Sequence, residues 1–76
     1  RHIDEAEDRV KKAIEADTRN EMMSALGLDY ALYAEILGRK GDLPKAREQL
    51  TKAMEILKEC GADGCVKRYE QELARL

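Results

Sequence analysis

The stretch from residue 30 to residue 57, YALYAEILGRKGDLPKAREQLTKAMEIL, constrains the fold most, because it holds two helical apolar patterns separated by a turn. Its first half places four apolar residues at the i, i+3, i+4, i+7 spacing of one helical face: Tyr30, Tyr33, Ala34 and Leu37. Its second half resumes this period with Leu43, Ala46, Leu50, Ala53, Met54 and Leu57. Two amphipathic helices joined this closely are predicted to pack antiparallel.

The turn between these helices carries its own signals. Gly41 accepts the left-handed conformation that ends a helix, and the carboxylate of Asp42 is predicted to cap the next one. Pro44 falls in the first turn of the second helix, where its missing N–H costs nothing. The sequence therefore predicts a tight helical hairpin.

Two further amphipathic helices are predicted, one before and one after this hairpin. The first covers residues 1–17, and its apolar residues match those of residues 43–57 after a shift of about 40 residues: Ile3 with Leu43, Ala6 with Ala46, Val10 with Leu50 and Ala13 with Ala53. The other covers residues 63–76, with Asp63 as its cap and a polar outer face. Such a face suits a terminal capping helix, since a solenoid end meets water.

The start of the second helix is predicted from a capping box. Thr18 and Glu21 fit the S/T-x-x-E pattern, so this helix should begin near Arg19. Gly27 lies in its middle, where glycine costs about 1 kcal/mol relative to alanine in helix propensity. That position predicts either a close contact with a neighbouring helix or a local kink.

These residues resemble a degenerate tetratricopeptide repeat, a helix pair with the pattern W-x2-L-G-x2-Y, then A-x3-F, then A and P. The corresponding residues here are Tyr30, Tyr33, Ala34, Leu37, Ala46, Leu50 and Ala53, in that order. Lys58 stands where the family has proline, so the second helix of the pair should continue to about Cys60. The resemblance covers nearly the whole chain, and its motifs specify a shape and not a reaction.

The resemblance implies an all-α fold, a tetratricopeptide-like solenoid of about four helices over residues 1–76. Residues 19–60 would form the central helix pair, and residues 1–17 would be the second helix of a preceding repeat. The first helix of that repeat is missing, which predicts that the chain is a fragment of a longer protein. Repeats of this length are similar to arrays in bacterial signalling and regulatory proteins.

In this family the first helix of each pair lines a concave binding groove. Carrying the frame across predicts a groove lined by Leu28, Ala31, Glu35, Gly38 and Arg39. The Lys/Asn/Arg clamp with which some members hold a peptide carboxylate is absent, since Ala31, Leu32 and Glu35 occupy its positions. The resemblance implies a protein or peptide partner, but not an acidic C-terminal peptide.

Charge and hydropathy exclude several classes of partner. The chain has 14 basic and 16 acidic residues, and the two signs are interleaved on every predicted helix. A nucleic-acid partner is therefore not expected. No segment approaches the roughly 20 apolar residues needed to span a bilayer, and there is no signal peptide, so no membrane partner is expected either and a soluble, cytoplasmic location is predicted.

The residues that could carry chemistry are few. Cys60 and Cys65 are too few for a tetrahedral zinc site, and their apolar helix positions predict core packing for both, although a disulfide across the turn is conceivable. His2 is expected to be solvated, and no Ser/His/Asp set can be built from it. Core packing is also expected for the tyrosines and methionines. We expect no catalytic residue, metal or cofactor.

Three hypotheses for function follow. The first is a protein-interaction module that docks a partner segment in the helical groove. The second is a purely structural end-cap of a repeat array in a longer regulatory protein. The third is self-association, because the unpaired first helix leaves an apolar face that a homodimer would bury.

Overall fold

The computed structural model describes residues 2–75, and this part of the chain contains four α-helices and no strand. The helices are α1 (His2–Arg19), α2 (Met23–Arg39), α3 (Leu43–Glu59) and α4 (Asp63–Arg75). The all-α prediction is confirmed. Arg1 and Leu76, which the sequence also assigned to helices, lie outside the described residues, as does the side chain of Asp63, the predicted cap of α4.

Three turns of one geometry connect the helices, and they recur every 20 residues along the chain. Each turn contains one residue with positive φ: Glu21 at 56°, Gly41 at 88° and Gly61 at 78°. The residue after it donates its N–H to a carbonyl in the last turn of the preceding helix: Met22 to Asp17 at 2.9 Å, Asp42 to Leu37 at 3.0 Å and Ala62 to Leu57 at 2.9 Å. This bond belongs to the Schellman motif, which closes a helix end.

The turn before α3 has the features predicted for it. Gly41 is left-handed, and Asp42 Oδ1 accepts a hydrogen bond from the backbone N–H of Lys45 at 3.3 Å. Pro44 lies in the first turn of α3, and the helix ends at Glu59 with Cys60 as its C-cap. The predicted continuation of this helix to about Cys60 is confirmed.

The predicted capping box before α2 is wrong. Thr18 still belongs to α1, and its hydroxyl donates to the carbonyl of Ile14 at 2.6 Å. Because Glu21 occupies the left-handed turn position, α2 begins at Met23 and not near Arg19, and Met22 makes no side-chain cap. The first helix accordingly continues to Arg19 instead of ending at residue 17.

Replacing Glu21 by glycine should stabilise the fold. Residues with a Cβ are disfavoured in the left-handed region by roughly 1–2 kcal/mol, whereas glycine is not. Part of that gain is offset by the greater flexibility of glycine in the unfolded chain, so we expect the free energy of unfolding to rise by about 0.5–1 kcal/mol. Urea unfolding followed by circular dichroism measures the change, and Gly41→Ala is the reciprocal control, expected to destabilise. A lower midpoint for Glu21→Gly would contradict the turn geometry.

Consecutive helices pack against each other, and the contact between α2 and α3 is the most extensive. One buried cluster joins the first three helices: Val10, Tyr33, Ile36, Leu37 and Ala46. The other lies between α2 and α3, where Tyr69 and Leu73 of α4 cover it: Ala31, Ala34, Leu50 and Ala53. Alanine recurs in these clusters because small side chains let two helix backbones approach closely.

Gly27 lies where α2 closely approaches α3. A Cβ built on this glycine would lie 2.8 Å from Cγ and Cδ2 of Leu57 and 3.3 Å from Cγ2 of Ile56. Leu57 is only 2% exposed, so its side chain has little room to move. Of the two predicted roles for Gly27, the structure shows the close helix contact.

A polar cluster at Glu7 ties α1 to the end of α2. Lys40 Nζ donates to Glu7 Oε1 at 2.6 Å, and the hydroxyl of Tyr33 lies 3.5 Å from Oε2. Lys11 approaches the same carboxylate at 3.7 Å. The hydrogen bond from Lys40 lowers the pKa of Glu7, so this carboxyl is ionised at neutral pH.

Three residues predicted to pack in the core are exposed. Met22 and Met23 are 54% and 42% exposed, because they lie at the left-handed turn and the first residue of α2. Cys60 is exposed at the end of α3, whereas Cys65 is half-buried; both are free thiols. His2 is exposed, as the sequence predicted, and Glu48 and Lys52 form a 3.9 Å ion pair on the surface of α3.

Candidate partner-binding groove

A groove runs between α2 and α4 with α3 beneath it. A cavity of about 380 Å³ is lined by residues of all three helices, including Ala31 and Ala34 of α2, Leu43 and Leu50 of α3, and Arg75 of α4. A smaller cavity of about 180 Å³ lies between Leu28 and Leu32 of α2 and Arg68 and Tyr69 of α4. Ala31, Glu35 and Glu72 line both cavities, which makes them one surface.

All five residues predicted to line a partner-binding groove border this surface, Gly38 among them. Leu28 is 48% exposed at one end, and Ala31 is buried in the floor. Glu35 and Arg39 are exposed on the next turns of α2, where Arg39 Nη2 donates to Glu35 Oε1 at 3.3 Å. The i, i+3, i+4 spacing on α2 brings them together, and whether a partner binds there stays a prediction.

The groove changes character along its length. In its first part α2 presents two exposed leucines, since Leu32 is 49% exposed one turn after Leu28, while Arg68 and Tyr69 of α4 line the opposite side. Its second part carries both signs of charge, with Glu35 and Arg39 on α2 facing Glu72 and Arg75 on α4. At the boundary, burial raises the pKa of the Tyr69 phenol, so this side chain stays neutral at physiological pH.

The sequence-based prediction missed the wall formed by α4. The residues of that wall are Arg68, Tyr69, Glu72 and Arg75. They stand 40 residues after Leu28, Asp29, Leu32 and Glu35 on α2. The same repeat shift that aligned the helices would have identified them.

A second cleft of about 470 Å³ lies between α1 and α2, on the helix whose apolar face was expected to be open. Its floor is apolar, with Ala6, Val10 and Ala13 on one side and Leu32 and Ile36 on the other. Asp29 also lines it, together with the charged residues Arg9, Glu35 and Arg39. This surface is called the α1–α2 cleft below.

Asp29 is a carboxyl group of the α1–α2 cleft whose pKa is raised. Its Oδ2 atom is buried and has no hydrogen-bond partner among the described residues. Burial, hydrogen bonding with Asp17 and the negative charge of Asp17 together raise the pKa of Asp29 from 3.8 to about 6. An acceptor left in this state is costly unless a donor reaches it.

Neither a metal site nor a membrane-spanning helix is found in the part of the chain that the structure describes. No three of its His, Cys, Asp or Glu side chains come together as metal ligands would. None of its helices is long and apolar enough to cross a bilayer.

No family model, curated protein or solved structure matches this chain significantly. The tetratricopeptide resemblance rests on the residues quoted for it and stays a prediction.

Proposed function

We propose that this chain is a non-catalytic protein-interaction module, tetratricopeptide-like in architecture, that docks a helical segment of a partner protein in the groove between α2 and α4. We further propose that it acts within a larger cytoplasmic signalling or regulatory protein. Self-association is the second candidate, and a different surface supports it, as argued in the next subsection.

The proposal rests on two exposed leucines of α2, Leu28 and Leu32. Leu28 and Leu32 are each about half exposed, and they lie on adjacent turns beside the buried Ala31. Single exposed leucines are common on protein surfaces, whereas neighbouring ones bordering a groove indicate a contact site. An apolar helix face laid into such a groove would remove both side chains from water.

The charges define the partner further. Glu35 and Glu72, which line both parts of the groove, attract basic side chains, and Arg39 and Arg75 in its second part attract acidic ones. A partner helix would therefore carry apolar residues one turn apart, followed by residues of both signs. Complementary charges of this kind set orientation and specificity more than affinity.

Selection from a library of displayed random helical peptides tests the proposal. Peptides enriched on this chain should bind the Leu28→Glu variant at least about tenfold more weakly, because a carboxylate would be desolvated against their apolar face. Met23→Glu is the matched control, since Met23 is similarly exposed on the same helix but borders neither groove cavity. Fluorescence anisotropy of labelled peptides measures each affinity.

Peptides that bind wild type and Leu28→Glu equally well would contradict the proposed groove. The same conclusion would follow if no peptide were enriched over an unrelated helical protein. Far-UV circular dichroism of each variant shows whether the fold is retained, which is expected because both positions are largely exposed.

A further inference from the structure

By the 40-residue repeat, the surface of α1 in the α1–α2 cleft corresponds to the surface of α3 that α2 covers. On α3, Ala46 and Ala53 are fully buried, and α2 packs over this helix. The residues 40 positions earlier on α1 are Ala6 and Ala13, which are only half-buried and line the open cleft. The surface of α3 against which α2 packs is therefore repeated on α1, where no helix of the described residues covers it.

The uncovered surface of α1 and its neighbouring residues differ chemically from the surface of α3 that α2 covers. Two positions are acidic: Asp17 stands 40 residues before the buried Leu57, and Asp29 stands 40 residues before Tyr69. Asp29 contributes a buried carboxyl oxygen that no donor in the described part of the chain reaches, and the Asp17 carboxyl lies beside it. This surface thus suits a helix that carries a cation and a hydrogen-bond donor.

The outer face of α4 supplies both groups. Four exposed residues of α4 follow, by 40 positions, the α2 residues Gly27, Tyr30, Ala31 and Ala34: they are Lys67, Glu70, Gln71 and Ala74. Gly27 and Ala31 are residues through which α2 packs against α3. The face of α4 that corresponds to the packing face of α2 is therefore uncovered and polar.

We propose that copies of this chain associate head to tail, with α4 of one copy seated in the α1–α2 cleft of the next. In this arrangement α4 takes the place of α2, and α1 of the next copy takes the place of α3. Gly27 contacts Leu57 within one chain, so the corresponding residues, Lys67 and Asp17, meet between copies. Ala31 and Tyr69 line the same cavity. The residues that correspond to them are Gln71 and Asp29, so the amide of Gln71 comes close to Asp29 of the next copy.

A third pair follows from the same shift. Lys52 Nζ lies 5.9 Å from the centre of the Tyr30 ring across the contact between α3 and α2. The corresponding residues of the proposed interface are Lys12 and Glu70, which have opposite charges. Every charged group on the face of α4 thus meets a group of opposite sign.

The size of Lys67 sets the spacing of the proposed interface. Gly27 lets α2 approach α3 so closely that a Cβ would lie 2.8 Å from Leu57. A lysine needs more room, so α4 must stand further from α1 of the next copy. The interface between copies is accordingly looser and more polar than the one between α2 and α3.

This association is heterologous, because the two surfaces that meet are different. Each copy keeps one free surface of each kind, so growth continues into open chains rather than stopping at a dimer. The α1–α2 cleft shares Leu32, Glu35 and Arg39 with the groove between α2 and α4. The two proposals are tested at other residues: Ala13 lines only the cleft, Leu28 lines only the groove, and Lys67 lines neither. Failure of either proposal therefore leaves the other standing.

Light scattering over a dilution series from micromolar to millimolar chain tests the proposal. The average mass of wild type should rise above the 8.6 kDa of one chain as concentration increases. Lys67→Glu places a carboxylate against Asp17, and Ala13→Glu fills the cleft. Each variant alone should remain a monomer at all concentrations, with its helical circular dichroism unchanged.

Mixing the two variants distinguishes head-to-tail association from a symmetric dimer. The Lys67→Glu chain keeps an intact cleft, and the Ala13→Glu chain keeps an intact α4 face, so the mixture should form complexes of two chains. Growth should stop there, because the two altered surfaces repel each other. A mixture that stays monomeric, either variant dimerising alone, or a monomeric wild type at all concentrations would overturn the proposal.

Discussion

Gly27→Ala is expected to destabilise the fold in the native background and to stop doing so once Leu57 is shortened. The added Cβ lies 2.8 Å from Leu57, and overpacking of this kind costs about 1–3 kcal/mol, against about 1 kcal/mol gained in helix propensity. Leu57→Ala alone should lower the free energy of unfolding by about 2–5 kcal/mol, because it leaves a cavity in the core. In the Leu57→Ala background, Gly27→Ala should be neutral or stabilising.

A double-mutant cycle in urea measures this coupling, with an expected interaction energy of about 1–3 kcal/mol. Gly38→Ala is the matched control on the same helix, since nothing lies within 4 Å of a Cβ built there. It should raise the free energy of unfolding slightly, through helix propensity alone. If Gly27→Ala behaved like Gly38→Ala in the native background, the close approach of α2 to α3 would be disproved.

The free energy of unfolding should fall as pH rises from about 4 towards 7. Asp29 has its pKa raised from 3.8 to about 6 in the folded protein, so the folded state binds a proton more tightly than the unfolded state. The stability from this proton is fully present below about pH 4 and is lost as pH rises through about 6. The shift corresponds to at most about 3 kcal/mol, which partial exposure reduces to about 1–2 kcal/mol.

Asp29→Asn should remove this loss and make the protein more stable than wild type at pH 8. Urea unfolding at intervals from pH 4 to pH 8 compares the two proteins. The lowered pKa of Glu7, set by its hydrogen bond with Lys40, acts in the opposite direction and only below its ordinary range near 4.5. Parallel stability curves for wild type and Asp29→Asn would show that this carboxyl is not perturbed.

Local patterns predicted most of the fold. The helical spacing of Tyr33, Ala34 and Leu37 identified the buried face of α2, and Gly41 identified a turn that only a residue tolerant of positive φ occupies readily. The turn at Glu21 was missed because its residue has a Cβ, so no glycine indicated it, and Thr18 offered an alternative cap. Gly41 and Gly61 are 20 residues apart, and counting back a further 20 residues from Gly41 would have identified Glu21 as a turn position.

The candidate site was predicted less completely, because it depends on contacts between distant helices. The tetratricopeptide resemblance was enough to predict Leu28, Ala31, Glu35, Gly38 and Arg39, since all five lie on α2 and the family frame assigns them without contacts from another helix. The wall formed by α4 and the proximity of Asp17 to Asp29 depend on how helices pack, which helical spacing alone does not specify. Only the 40-residue comparison, which sets Asp29 against Tyr69, indicates that a charge occupies a packing position.

We propose that this chain acts by docking a partner helix on the α2 face between Leu28 and Arg39. Titration of labelled protein with the tightest selected peptide, followed by backbone amide chemical shifts, tests it most directly. The account predicts the largest shifts at Leu28, Ala31, Glu35 and Arg39 and at Tyr69 and Glu72 across the groove. Shifts confined to the outer surfaces of α1 and α3, or absent at saturating peptide, would contradict it.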